Sequence, residues 1–252
     1  NTFYLTDNLG KRWLLKTTTD EKKANMESAA NYFLGDHFNF IVPGKTPKPI
    51  ESNGHYFTLQ QDVSDRANVV RPLEYWVGSL ALFHQDAEKI LSDNNLIVEE
   101  KKLRSAEEIN EMYQRGKKVN GLGSVDISQL EDVVDYLQSG DQKDFIHGDL
   151  KRGNIFSSYL VDLEGCGLGN AAIDLSMLFM QNNVAIDNWD HYLEMYLRLK
   201  GVDGSMKEEL KELKFGVEKA AVYTATKEVA GSSLREVRPD TSRENQLLVN
   251  YL

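Results

Sequence analysis

Residues 147–154 read His147-Gly148-Asp149-Leu150-Lys151-Arg152-Gly153-Asn154, and residues 155–165 continue as IFSSYLVDLEG. The helical period is lost between Phe145 and Asp162, which predicts a loop and a small hairpin. On a loop, an aspartate followed five positions later by an asparagine can present both side chains to one site across a turn. The apolar run IFSSYLV then ends in the carboxylate of Asp162, a hard oxygen ligand of the kind magnesium prefers. Two aspartates in one cleft are difficult to keep ionised without a cation, which itself argues for a metal. Taken singly, Asp149 and Asn154 read more readily as turn formers bonded to their own backbone. Together they supply what phosphoryl transfer needs: a group for the attacking hydroxyl at Asp149 and metal ligands at Asn154 and Asp162.

That chemistry also requires a cation on the nucleotide phosphates, and the start of the chain offers one. FYLTDNLGKRWLLK, residues 3–16, holds two apolar runs around Asp7-Asn8-Leu9-Gly10 and predicts a β-hairpin whose second strand ends at Lys16. Thr18 and Glu21 have capping-box spacing, Gly35 suits a helix end, and a helix is expected over about 20–34. Glu27 on that helix can hold the Lys16 ammonium against phosphates; Glu21 is the rival, although capping already accounts for it. Phe40–Pro49 holds three of the five prolines and reads as a loop, and His55–Val63 reads as a strand. From Pro72 onward the pattern turns helical, setting a boundary near residue 64. Residues 1–63 are thus expected to form a small β-rich lobe and 64–252 a helical one, an α+β architecture.

Within the second part, PLEYWVGSLALFHQDA is helical, Ser105 and Glu108 form a capping box that opens a helix to about Lys118, and ISQLEDVVDYLQSG is amphipathic. IDLSMLFMQ, NWDHYLEMYLRLKG and MKEELKELKFGVEKAAVYTATKEVA also read as helices, with a short final one beyond Pro239.

The composition removes several other classes of function. A net charge of -10, from 39 acidic and 29 basic side chains, opposes binding to nucleic acid or to anionic membranes. Cys166 is the one cysteine, so no intrachain disulfide can form and a reducing interior fits best. No apolar run reaches the roughly 20 residues a spanning helix needs, and NTFYLTDNLGKR lacks the apolar centre of a secretory signal. The expectation is a cytoplasmic enzyme with no nucleic-acid or membrane partner. Oligomeric state is not legible.

These motifs together resemble the aminoglycoside phosphotransferase and choline kinase superfamily, small-molecule kinases with a protein-kinase-like two-lobed fold. The similarity runs over nearly the whole length. The family's HGDxxxxN loop is matched by His147 to Asn154, its apolar-Asp-apolar-Glu segment by Val161 to Glu164, and its later aspartate before an apolar helix by Asp174 in AAIDLSML. The resemblance implies ATP and Mg2+ as cofactors and a small-molecule hydroxyl as acceptor, from an aminoglycoside, amino alcohol, sugar or similar metabolite. It makes Asp149 the catalytic base, Asn154 and Asp162 the magnesium ligands, and Lys16 the contact to the α and β phosphates, positioned by Glu27. The backbone of Leu59, Gln60, Gln61 and Asp62 becomes the hinge that receives adenine, while His147 and Asp174 pin the catalytic loop. NTFYLT resembles only the end of the family's nucleotide-covering loop, so the first strand is expected to be missing from the chain as given.

Lys151 departs from the family habit. Asp-Leu-Lys is the protein-kinase triplet, and a lysine there can neutralise the transferred phosphoryl group, which keeps an atypical protein kinase as an alternative. Against that, there is no Asp-Phe-Gly or Ala-Pro-Glu motif, and twelve positions separate Asp162 from Asp174. A nucleotide-binding pseudokinase is the other alternative, opposed by the full set of metal and phosphate residues.

Overall fold

A computed structural model describes residues 2–64, 70–120, 129–140, 143–202 and 206–232. By contact the chain divides into two units, one of residues 1–101 with 144–168 and the other of 102–143 with 169–252. The boundary expected near residue 64 falls inside the first unit.

The first unit opens with the expected hairpin, β1 (Thr2–Thr6) against β2 (Arg12–Thr18). Asp7 builds its turn by accepting from the amides of Leu9 and Lys11 and from the Trp13 indole. Strand β2 runs past Lys16 to Thr18, placing Lys16 inside the sheet, opposite Thr2 on one side and Thr58 on the other. Helix α1 (Glu21–Ala29) follows, and its cap is Asp20, whose carboxylate accepts from the Lys23 amide at 3.1 Å. Thr18, expected as the cap, instead accepts from the amide of Asp20.

The helix continues through a π-turn over Ala30–Leu34 into α2 (Gly35–His37). Gly35 therefore does not end the helix. Its φ of -67° is helical, and a Cβ there would stand 2.7 Å from the Cα of Pro43, so a close backbone approach is what excludes larger residues. Strands β3 (Ile50–Ser52) and β4 (His55–Gln61) complete an antiparallel sheet of order β1-β2-β4-β3. β3 begins just after the proline-rich stretch Phe40–Pro49 that reads as loop, a short segment fixed by its pairing with β4.

Helix α3 (Leu73–Asp93) packs on β5 (Asp144–Ile146). Phe38 stacks on Phe40 and meets Phe83, which in turn meets Phe145 at 5.2 Å, so an aromatic chain ties the region after α2 to α3 and β5. The expected small hairpin is β6 (Ile155–Phe156) with β7 (Tyr159–Leu160), and β8 (Gly167–Gly169) pairs with β5.

The second unit is helical: α4 (Ala106–Asn120), α5 (Leu130–Ser139), α6 (Ala172–Gln181), α7 (Trp189–Leu199) and α8 (Met206–Ser232). Helix α8 touches each of the other four and forms the axis of the unit. The Ser105 and Glu108 capping box is made reciprocally, at 2.8 and 3.2 Å. Among the described residues no helix is long and apolar enough to cross a membrane. The short helix expected beyond Pro239 lies outside the described residues.

Candidate active site

Lys16, Glu27, Asp149, Lys151, Asn154 and Asp162 all belong to the first unit. The loop around Asp149 is held largely by its own backbone and side chains. Gly148 takes a positive φ of 68°, turning the chain between His147 and Asp149. The Asn154 amide nitrogen donates to the Asp149 carbonyl at 2.8 Å and lies 3.4 Å from its carboxylate, closing the turn between the two residues. The Lys151 ammonium sits 2.6 Å from the Asp149 carboxylate. Buried His147 joins the segments, one ring nitrogen at 2.9 Å from the Val161 carbonyl and the other at 3.4 Å from the Asp149 amide.

Asp162 lies just beyond hairpin β6–β7 with φ 67° and ψ 51°, a left-handed conformation an aspartate tolerates and most side chains do not. Its carboxylate is 2.7 Å from the Lys16 ammonium, a residue 146 positions away in sequence. On its other side Lys16 pairs with Glu27, which is 2% exposed and whose second oxygen accepts from the Thr58 hydroxyl at 3.2 Å. Burial works against the Lys16 charge, yet the two carboxylates outweigh it and raise its pKa above the ordinary lysine value. Burial pushes the Glu27 carboxyl up, with the Lys16 charge opposing. Burial also disfavours ionised Asp162, but the bond from Lys16 and the charges of Lys16, Lys151 and His147 hold it below the usual aspartate value.

Glu27, and not its rival Glu21, is the partner of Lys16. The α1 helix faces the turn after Asp162, and Lys23 adds a pair to Glu164 at 3.2 Å. Sequence reasoning missed Thr58, which has no motif of its own and is placed by the strand register opposite Lys16.

Leu59 to Asp62, expected as the hinge, are engaged on several sides. The Leu59 carbonyl accepts from the Lys45 amide, while the amides of Gln61 and Asp62 donate to the carbonyls of Pro43 and Arg12. Gln60 is buried, its side chain accepting from Asn31 in the π-turn at 3.0 Å. Asp62 pairs with Arg12 at 2.8 Å. Asp174 lies in the second unit, fully buried in the first turn of α6.

Among the described residues no group of three or more His, Cys, Asp or Glu side chains forms a metal cage. The oxygens of Asp162 and Asn154 are the hard, sparse donor set that suits Mg2+, which keeps few protein ligands and relies on nucleotide phosphates and water for the rest.

A model of the phosphotransferase enzyme family matches residues 1–213. The chain belongs to that family. Among solved structures, this phosphotransferase is similar to a spectinomycin phosphotransferase in complex with ADP and spectinomycin, at 13% identity and a TM-score of 0.58, covering 100% of this chain and 84% of that one. It is also similar to choline kinase LicA from Streptococcus pneumoniae, at 12% identity and a TM-score of 0.56, covering 99% and 89%. An aminoglycoside phosphotransferase from Alicyclobacillus acidocaldarius matches at 13% identity and a TM-score of 0.51, covering 100% and 89%. No curated protein matches the chain. The shared fold is the α+β, protein-kinase-like fold expected from the sequence.

Proposed function

We propose that this phosphotransferase moves the γ-phosphate of ATP, with Mg2+, to a hydroxyl of a small molecule such as an aminoglycoside, amino alcohol or sugar, and that it acts in the cytoplasm. The observation that carries the reading is the Lys16 ammonium held between Glu27 and Asp162, which joins the strand lysine to the loop that follows Asp149. Bound Mg2+ would neutralise charge developing on the phosphates, held by Asp162 and the amide oxygen of Asn154. Asp149 orients the acceptor hydroxyl and accepts its proton, kept in place by Asn154. Lys16, pinned by Glu27, which Thr58 steadies in turn, is directed at the α and β phosphates, and Lys151 brings a second cation to the transferred group. The backbone of Leu59–Asp62 receives adenine. Residues 1–63 thereby handle the nucleotide, and 64–252 complete the catalytic loop and select the acceptor.

The test is ADP release from magnesium ATP across aminoglycosides, choline, ethanolamine, amino sugars and homoserine, with a generic polypeptide as control. Stimulation by one small molecule, lowered on the order of a hundredfold or more in Asp149→Asn with nucleotide affinity retained, is the expected result. Stimulation by the polypeptide alone would transfer the assignment to a protein kinase. Magnesium-independent nucleotide binding without turnover would replace it with a pseudokinase.

A further inference from the structure

Lys101 belongs to no motif, yet its side chain spans the two loops that carry Asp149 and Asp162. Its backbone is fixed first: Glu100 forms a parallel bridge with Leu168, the Lys101 amide donates to the Leu168 carbonyl at 2.8 Å, and the Leu168 amide donates to the Glu99 carbonyl at 3.0 Å. From there the ammonium donates to the Gly165 carbonyl and lies 3.5 Å from the His147 carbonyl. One of these carbonyls is two residues before Asp149 and the other three residues after Asp162.

The approach of the side chain and of its own segment to both loops is close. A Cβ on Gly148 would stand 2.1 to 2.6 Å from Cε, Cδ and Nζ of Lys101, and one on Gly167 would stand 2.7 Å from the Glu99 carbonyl oxygen. The lysine stem therefore lies flat on the backbone at Gly148, and the segment before it lies against Gly167. Other charged groups near these loops play different parts: Lys22 and Lys23 pair with the carboxylates of Glu99 and Glu164, whereas Lys101 is bonded to main-chain carbonyls from both loops.

We infer that Lys101 is a positioning residue that fixes the distance between Asp149 and Asp162 by tying the main chains at His147 and Gly165 to one ammonium. The inference rests on the phosphotransfer roles assigned above to those aspartates. One holds the metal and the other the hydroxyl, so a shift of about 1 Å between them is enough to cost on the order of a hundredfold in rate. A positive charge shared by two carbonyls makes stronger hydrogen bonds than a neutral donor would, and a fork of donors on arginine can replace it.

The experiment compares Lys101→Met, which keeps the stem over Gly148 and deletes the charge, with Lys101→Arg and with Lys22→Met as a surface control. In the whole protein, amide hydrogen exchange should rise in both 147–151 and 162–166 for Lys101→Met and in neither for Lys22→Met. Turnover in Lys101→Met should fall on the order of tenfold to a hundredfold with KM for ATP nearly unchanged, and Lys101→Arg should recover most of it. Unchanged exchange in either loop overturns the inference, as does exchange that rises equally throughout the unit or turnover unaffected despite looser loops. If Lys101→Met does not fold, the same measurements on Lys101→Gln decide. Should the parent transfer phosphate to no acceptor, the functional reading fails, while loop-specific exchange still shows whether Lys101 joins the two segments.

Discussion

The two units differ in what their buried polar groups reach for. In the second, Ser176 on α6 donates to the Ile173 carbonyl and Thr226 on α8 to the Val222 carbonyl within a single turn of their own helix, and the longer-range bonds join neutral groups, the Tyr223 hydroxyl accepting from the Arg104 amide and the Ser176 and Thr224 hydroxyls standing 3.5 Å apart. In the first, Glu27 meets Lys16 and Thr58, Asn31 meets Gln60, His147 meets Val161, and Lys16 meets Asp162, across separations of 11 to 146 residues. Local bonds of the first kind satisfy a side chain and fix nothing else. Long-range bonds hold charged groups in a fixed array, and a buried charge persists only where such partners are supplied. The first unit thus holds an array of paired charges, and the second is a helical core assembled around α8.

Removing a charge should separate the units most sharply. Lys16→Met leaves Glu27 buried without its ammonium and should destabilise the protein by about 4 kcal/mol at neutral pH. Denaturant unfolding should show the loss shrinking on acidification, because the stranded Glu27 takes up a proton in the folded state. A loss independent of pH would mean that packing, and not charge, holds this unit.

The second unit should answer to volume. Leu193→Ala empties part of the buried face of α7 and should cost about 3 kcal/mol, read by denaturant titration, while magnesium-dependent nucleotide binding by the folded protein stays intact. Loss of nucleotide binding at unchanged stability would break the comparison. Ser105→Ala removes one arm of the capping box and should cost about 1 kcal/mol, restored in part by Ser105→Asp.

The smallest effect concerns Asp162, whose native carboxyl titrates below its unfolded value. Its pair with Lys16 therefore contributes fully above the ordinary aspartate value of 3.8 and is lost as pH falls through the lower native value. With the carboxylate partly exposed, the contribution should be below about 1 kcal/mol. Stability profiles of the parent and Asp162→Asn should converge at low pH; parallel profiles down to pH 2 would remove the ion pair from the account.

Much of the site was legible because its chemistry is local. The loop from His147 to Asn154 and the hairpin ending at Asp162 each fit within a few residues, where turn formers and apolar alternation have direct conformational consequences. The hairpin at Asp7–Gly10, the capping box at Ser105 and the long helices were readable for the same reason. Elements governed by competition between neighbours were not. Asp20 displaced Thr18 as cap, β3 formed just beyond the proline-rich loop because β4 offered it partners, and Gly35 answers to Pro43 instead of ending a helix.

The sequence by itself determined the fold class, the long helices, the first hairpin and the residues proposed to carry phosphoryl transfer. Tertiary structure alone decided which carboxylate Lys16 meets, that Thr58 steadies Glu27, and that Lys101 spans two loops. Periodicity and turn chemistry act over a few residues, whereas pairing over 31, 46 or 146 positions depends on strand register and on how the loops are brought together, and neither leaves a local signal.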